Sequence, residues 1–205
     1  MTPPTAPASV VAERLPGIYV HVPFCLRRCD YCDFTTFADR DEAIPAYVEA
    51  LTAHIRRTPQ DATFGSVFVG GGTPTYLPPD DLRQVLQALG DTFEFADDAE
   101  WTVEANPETV DAEMAAALAG GGVNRISLGA QSFDTRVLST LGRWHAPDSV
   151  PRAIGPLRDA GIDRLSIDLI YGTPGETDAS WAATLDRAVE LGTSHVSAYA
   201  LTVEP

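Results

Sequence analysis

The only cysteines in the chain, Cys25, Cys29 and Cys32, stand in the spacing Cys-x3-Cys-x2-Cys within IYVHVPFCLRRCDYCDF, residues Ile18 to Phe34. Three thiolates this close suit soft iron chemistry, but they are one ligand short of a closed four-cysteine zinc or iron–sulfur site. A [4Fe–4S] cluster held by three cysteines keeps one iron open to a small molecule. Two other uses of these residues stand beside that one: a zinc site with His21 as fourth ligand, and three unrelated buried thiols. Zinc knuckles space their cysteines in two separated pairs, and this chain has no second pair. The cluster is the stronger reading.

A second feature is GGGTPT, Gly70 to Thr75, directly after an apolar run. Consecutive glycines let backbone groups approach a ligand closely because no Cβ intervenes. Taken alone the hexapeptide is also an ordinary Gly/Pro turn. Its place at the carboxyl end of an expected strand, where α/β proteins bind ligands, favours a binding loop. Polar residues punctuate the ends of later runs: Glu104 after Trp101, Gln131 after Leu128, Arg143 twelve residues on, and Asp168 inside LSIDLI. A carboxylate embedded in a buried strand is costly unless paired, so Asp168 is either a structural ion-pair partner or part of a site. Together these four read as a polar rim on successive strand ends.

The elements that must carry these residues alternate. Strands are expected at Ile18–Val22, Ser66–Gly70, Trp101–Ala105, Arg125–Leu128, Arg164–Leu169 and His195–Ala200. Ser66-VFVG and Leu165-SIDLI are short and nearly continuously apolar, as expected of parallel strands buried on both faces. Helices are expected at Ile44–Arg57, Asp80–Leu89, Asp111–Leu118, Asp148–Asp159 and Ser180–Leu191, several opening on Asp or Ser and ending at Gly90, Gly120, Gly161 or Gly192. Such βα units build a parallel sheet with right-handed crossovers. A doubly wound sheet and a partial (β/α)6 barrel both fit. The last strand runs into LTVEP with no helix to cover it, which is unusual for a parallel strand. The expected organisation is a flexible leader over residues 1–16 and one core domain over 17–205, truncated after its sixth strand as the front part of a longer protein.

Composition narrows the setting. No charge-free apolar run approaches the ~18–20 residues a membrane helix needs, and MTPPTAPASVVAER lacks a signal peptide's basic start and apolar centre. Three cysteines without a secretory signal argue for reduced thiols and a cytoplasmic location. A net charge of −15 argues against nucleic acid as a partner. All 14 cations are arginines, which excludes a Walker-type phosphate loop and any Schiff-base mechanism.

The cysteine spacing after an apolar strand resembles the radical S-adenosylmethionine (SAM) superfamily. YVHVPFC (Tyr19 to Cys25), GGGTPTYL (Gly70 to Leu77), SLGAQSF (Ser127 to Phe133) and IDLIYGTPGET (Ile167 to Thr177) are similar to the oxygen-independent coproporphyrinogen III oxidase family, in that family's order. The resemblance implies a partial (β/α)6 radical SAM barrel with Cys25, Cys29 and Cys32 on a [4Fe–4S] cluster. It implies Tyr19 and Tyr31 beside SAM, Gly71, Gly72 and Thr73 at its methionine end, and Glu104, Gln131, Arg143 and Asp168 on its polar groups. Ala200 is implied to line the adenosine. The decarboxylating branch carries a fourth cysteine two positions after the third, where this chain has Phe34. On that residue the chain resembles the haem-chaperone branch, whose members bind haem and pass it to an acceptor protein. The alternative is the oxidase branch itself, acting in porphyrin biosynthesis through a 5′-deoxyadenosyl radical. The family's haem-binding motif lies in a C-terminal region that this sequence does not contain.

Overall fold

The computed structural model describes residues 15–202, so the leader expected at 1–16 falls almost wholly outside the described residues. Six parallel strands form one sheet in the order β1-β2-β3-β4-β5-β6. They are β1 Gly17–Val22, β2 Thr63–Gly71, β3 Glu94–Ala105, β4 Arg125–Gln131, β5 Arg164–Tyr171 and β6 His195–Ala200. Each strand pairs with the next one in sequence, so that β1 and β6 stand at the two ends of the sheet. A doubly wound sheet requires the strand order to reverse at a switch point. This one never does, and the arrangement is the partial (β/α)6 barrel.

Six helices connect the strands: α1 Ile44–Arg57, α2 Pro79–Thr92, α3 Ala112–Gly120, α4 Thr135–Thr140, α5 Ser149–Asp159 and α6 Asp178–Glu190. Their starts are chemically marked. Asp111 and Asp134 accept the Met114 and Arg136 backbone N–H at 2.8 Å, and Thr177 and Ser180 cap α6 reciprocally. Helix α4, absent from the sequence reading, is too short to show an apolar period. Helix α2 runs on through Gly90 to Thr92; one glycine in a helix with a well-buried face does not end it. Strand β3 starts seven residues before the expected Trp101. Its acidic stretch Asp97-Asp98 is exposed and reads as a loop because Asp is depleted in strands.

The strands are not buried on both faces, contrary to expectation. Val20, Val22, Val67, Val69, Val103, Ile126, Leu128, Leu165, Ile167 and Leu169 pack in one core with Leu82, Leu86, Leu89, Leu118 and Leu157 of the helices. Each such side chain contributes about 1.5–3 kcal/mol by leaving water. The alternate positions, Glu104, Ser127, Gly129, Asp168 and Tyr199, face the other way and line a cavity.

Candidate cofactor site

The cavity, about 530 Å3, lies at the C-terminal ends of the strands. One wall is the loop after β1, which carries all three cysteines and Tyr31. The loop is closed on itself where Cys25 N–H donates to the Phe37 carbonyl at 3.0 Å and Phe37 N–H donates to Pro23 at 2.7 Å. Cys25 Sγ lies 3.5 Å from Thr73 Oγ1, which joins this loop to the glycine loop. Burial pushes the Cys25 thiol up, against the Thr73 hydroxyl, and the nearby Cys32 and Cys29 add to the rise. Tyr31 is pushed far up, chiefly by burial beside Cys29 and despite the Arg143 charge.

The facing wall is polar. Glu104 Oε2 accepts the Gly71 N–H at 2.9 Å; burial raises this carboxyl, the Gly71 bond opposes the rise, and Asp168 adds to it. Asp168 accepts from Ser127 Oγ at 2.7 Å and Ser166 Oγ at 3.4 Å, so neighbouring hydroxyls, not a cation, satisfy it. Gln131 sits on a bulge of β4 with φ +65°, a left-handed conformation that a non-glycine residue adopts rarely and often at functional sites. Its amide lies over Gly129, where an added Cβ would come within 2.8 Å of Gln131 Nε2. Arg143 enters from the loop after α4 and donates to the Gly129 carbonyl at 2.7 Å and to Cys29 Sγ at 3.4 Å. Ala200 closes the side at β6.

Cys25, Cys29, Cys32, Tyr31, Gly71, Gly72, Thr73, Glu104, Gln131, Arg143, Asp168 and Ala200 thus share one cavity, and Tyr19 does not. Tyr19 is exposed, stacks on Phe68 at 6.2 Å and hydrogen-bonds His21 Nδ1 at 3.0 Å. Gly71 and Gly72 line the cavity as expected and also serve packing. A Cβ on Gly72 would meet the Val22 and Phe24 carbonyls at 2.7 Å, and one on Gly71 would strike the His21 ring. Their missing side chains let the end of β2 pack against β1 and the start of the cysteine loop while the two residues line the cavity.

The residues fit a cluster better than a single ion. No group of three or more His, Cys, Asp or Glu side chains among the described residues is arranged to hold one metal ion. A cubane spreads its thiolates over three irons, so they need not converge on a point. His21, the alternative zinc ligand, has Nδ1 on Tyr19 and Nε2 on the Thr35 carbonyl at 2.9 Å. Among the described residues Thr36, in the cavity lining, has a buried Oγ1 with no hydrogen-bond partner.

The sequence reading missed Ser127, Ser166 and His145. Ser127 stands in the alternation Arg125, Ser127, Gly129 against Ile126, Leu128, Ala130, and Ser166 in Arg164, Ser166, Asp168 against Leu165, Ile167, Leu169, a period-2 signal that serine and glycine mark only weakly. His145 gave no signal, since its role depends on a contact between the β4 bulge and a distant loop.

Comparison with known proteins agrees with this geometry. Residues 19–188 match the family model of the radical SAM superfamily. The chain is 44% identical over 199 residues to the haem chaperone HemW of Mycobacterium tuberculosis (strain H37Rv), covering 92% of this chain and 50% of that protein. It is 36% identical to HemW of Escherichia coli K12, covering 92% and 51%. It therefore spans about half the length of the curated relatives it matches. Among solved structures it resembles the radical SAM enzyme coproporphyrinogen III oxidase (HemN) of Escherichia coli, with TM-score 0.85, 30% identity and coverage of 94% of this chain and 45% of that one. No helix among the described residues is long and apolar enough to cross a membrane. Three cysteines on one wall, a polar strand-end wall opposite and the family match agree: the chain belongs to the radical SAM superfamily.

Proposed function

We propose that the chain is the cofactor-binding half of a cytoplasmic haem chaperone, holding a [4Fe–4S] cluster on Cys25, Cys29 and Cys32 and SAM in the cavity beside it. The observation that carries this reading is Phe34, 63% exposed at the cavity mouth, where the resembling decarboxylases carry a fourth cysteine. The HemW relatives support the same branch. Bound, the cluster would supply an iron with an open coordination position and a store of electrons.

The chain's own residues do the rest. Thr73 and Arg143 place an O–H and an N–H near the Cys25 and Cys29 sulfurs, hydrogen bonds that cluster-bound sulfurs would accept. Glu104 and Asp168 offer carboxylates to an ammonium group, and Arg143 offers its fork to a carboxylate. Tyr31 and Ala200 exclude water from the sides. In the longer protein, haem bound by the remaining half would pass to an acceptor protein.

Structural likeness to coproporphyrinogen III oxidase favours a second reading, decarboxylation of a porphyrinogen. The two separate in one experiment on the full-length protein with cluster and SAM loaded. The chaperone reading expects haem binding and transfer to an apo-acceptor, with no conversion of coproporphyrinogen III to protoporphyrinogen IX. Product above the no-enzyme background by chromatography would overturn it.

A further inference from the structure

The Arg143 guanidinium is gripped at three corners. Two grips are the Gly129 carbonyl and Cys29 Sγ described above; in the third, Nε–H donates to His145 Nδ1 at 3.3 Å. His145 is 4% exposed and does not line the cavity. Its Nε2 lies 3.0 Å from the Ala130 carbonyl.

These partners fix the ring's state. A carbonyl only accepts, so Nε2 carries hydrogen; an arginine Nε–H only donates, so Nδ1 is bare. The neutral Nε2–H tautomer is the single form that satisfies both, and a second proton would turn an N–H toward the guanidinium. Burial and the Arg143 charge push the ring down to about 4, in keeping with that geometry. Ala130 lies in the β4 bulge between Gly129 and Gln131. His145 thereby ties the Arg143 side chain to the same distorted stretch of strand that presents Gln131.

We propose that His145 is a positioning residue: as the neutral Nε2–H tautomer it locks Arg143 to the β4 bulge and aims its fork at Cys29 Sγ and at the ligand in the cavity. This rests on the reading that Arg143 faces a cofactor. Without the Nδ1 acceptor, the guanidinium would lose one of three anchors and spread over several rotamers.

Three variants separate positioning from packing. His145→Asn keeps an acceptor near the Nδ1 position and loses the Ala130 bond. His145→Gln keeps a donor near Nε2 and loses the acceptor, and His145→Leu loses both. On the cluster-loaded chain, SAM affinity by calorimetry should fall about tenfold in His145→Gln and His145→Leu, the size of one hydrogen bond to a charged donor. The cluster's midpoint potential should fall with it, because an N–H to a ligating sulfur favours the reduced state. His145→Asn should stay within about twofold of wild type. Metal-free His145→Asn and His145→Gln should unfold at similar denaturant concentrations, so lost packing would not explain their divergence. His145→Leu should add nothing in an Arg143→Gln background.

Equal weakening by Asn and Gln, or wild-type affinity in His145→Leu while Arg143→Gln binds poorly, would overturn the inference alone. Wild-type SAM affinity in Arg143→Gln would overturn it together with the reading of the site.

Discussion

On one face of the sheet Val69, Val103, Ile126 and Ile167 are buried to within about 1% of completely. On the other, the same strands offer Glu104, Ser127, Gly129 and Asp168 to a cavity. The first face is held by burial, which is non-directional and sums over many contacts. The second is held by a few directed bonds: Gly71 to Glu104, Ser127 to Asp168, Arg143 to Gly129. The difference teaches where stability and function sit. Changes on the outer face should unfold the protein, whereas changes on the inner face should empty the site of a folded one.

The largest expected effect tests the inner side. After anaerobic reconstitution the wild-type chain should hold about four irons and four sulfides, the content of one cubane. Cys29→Ala removes a thiolate that no other cysteine can replace, and iron content should fall to near zero. Unfolding of the metal-free variant should match wild type within about 0.5 kcal/mol. Near-stoichiometric iron in the variant, or zinc preferred by the wild type, would break the assignment.

Next comes the outer side. Ile126 is fully buried, and Ile126→Ala should lower unfolding free energy by about 2–5 kcal/mol in urea titration. The fraction still folded should take up cluster and SAM normally. If the variant lost SAM affinity while keeping its stability, the two faces would not be separable.

How much of this was readable beforehand follows the same division. Strand positions, the start of β3 excepted, and five of the six described helices were legible because caps, glycines and apolar runs are local signals. The cysteines and the polar strand ends were legible as chemistry. The two-faced character of the strands was misread, since Ser127 and Ser166 break apolar runs only weakly. The glycine loop shows a deeper limit. Its residues pointed to a ligand, yet Gly72 is confined by the carbonyls of Val22 and Phe24, fifty residues away in sequence. That contact exists only once β1 and β2 have paired. Gly72→Ala should therefore disturb the cysteine loop and lower cluster content and SAM affinity together, at about 1–3 kcal/mol of stability by overpacking. Normal iron content with weak SAM binding would return the loop to a simple ligand contact.

Acid separates a further group, buried outside the cavity lining. Burial and Arg143 hold His145 at about 4, against an ordinary value of 6.5, while the Ala130 carbonyl and Glu108 pull the other way. The unfolded chain takes up this proton first, so stability is fully present above pH 6.5 and is lost as pH falls toward 4. The contribution is roughly 3 kcal/mol at most. Carboxylates titrate over part of the same range, so the measurement is a difference between wild type and His145→Asn in the metal-free state. The pH slope should be shallower in the variant; parallel slopes would mean that the ring is not held neutral.

The smallest effect gives the closest comparison, because it concerns Ser127, the neighbour of Ile126 on the same strand. Ser127 donates to Asp168 at 2.7 Å, and a hydrogen bond to a charged group contributes about 1.5–3 kcal/mol. Asp168, however, lines an open cavity and keeps Ser166 at 3.4 Å. Water can replace the lost hydroxyl, and an atom removed here leaves no sealed void, so the cavity penalty that makes Ile126→Ala severe does not arise. Ser127→Ala should therefore change unfolding free energy by less than about 1 kcal/mol. Its mark should fall on the ligand instead: Asp168 becomes freer to turn, and SAM affinity should drop about threefold, less than a full hydrogen bond. A stability loss equal to that of Ile126→Ala, with SAM binding intact, would mean that the inner face is also core.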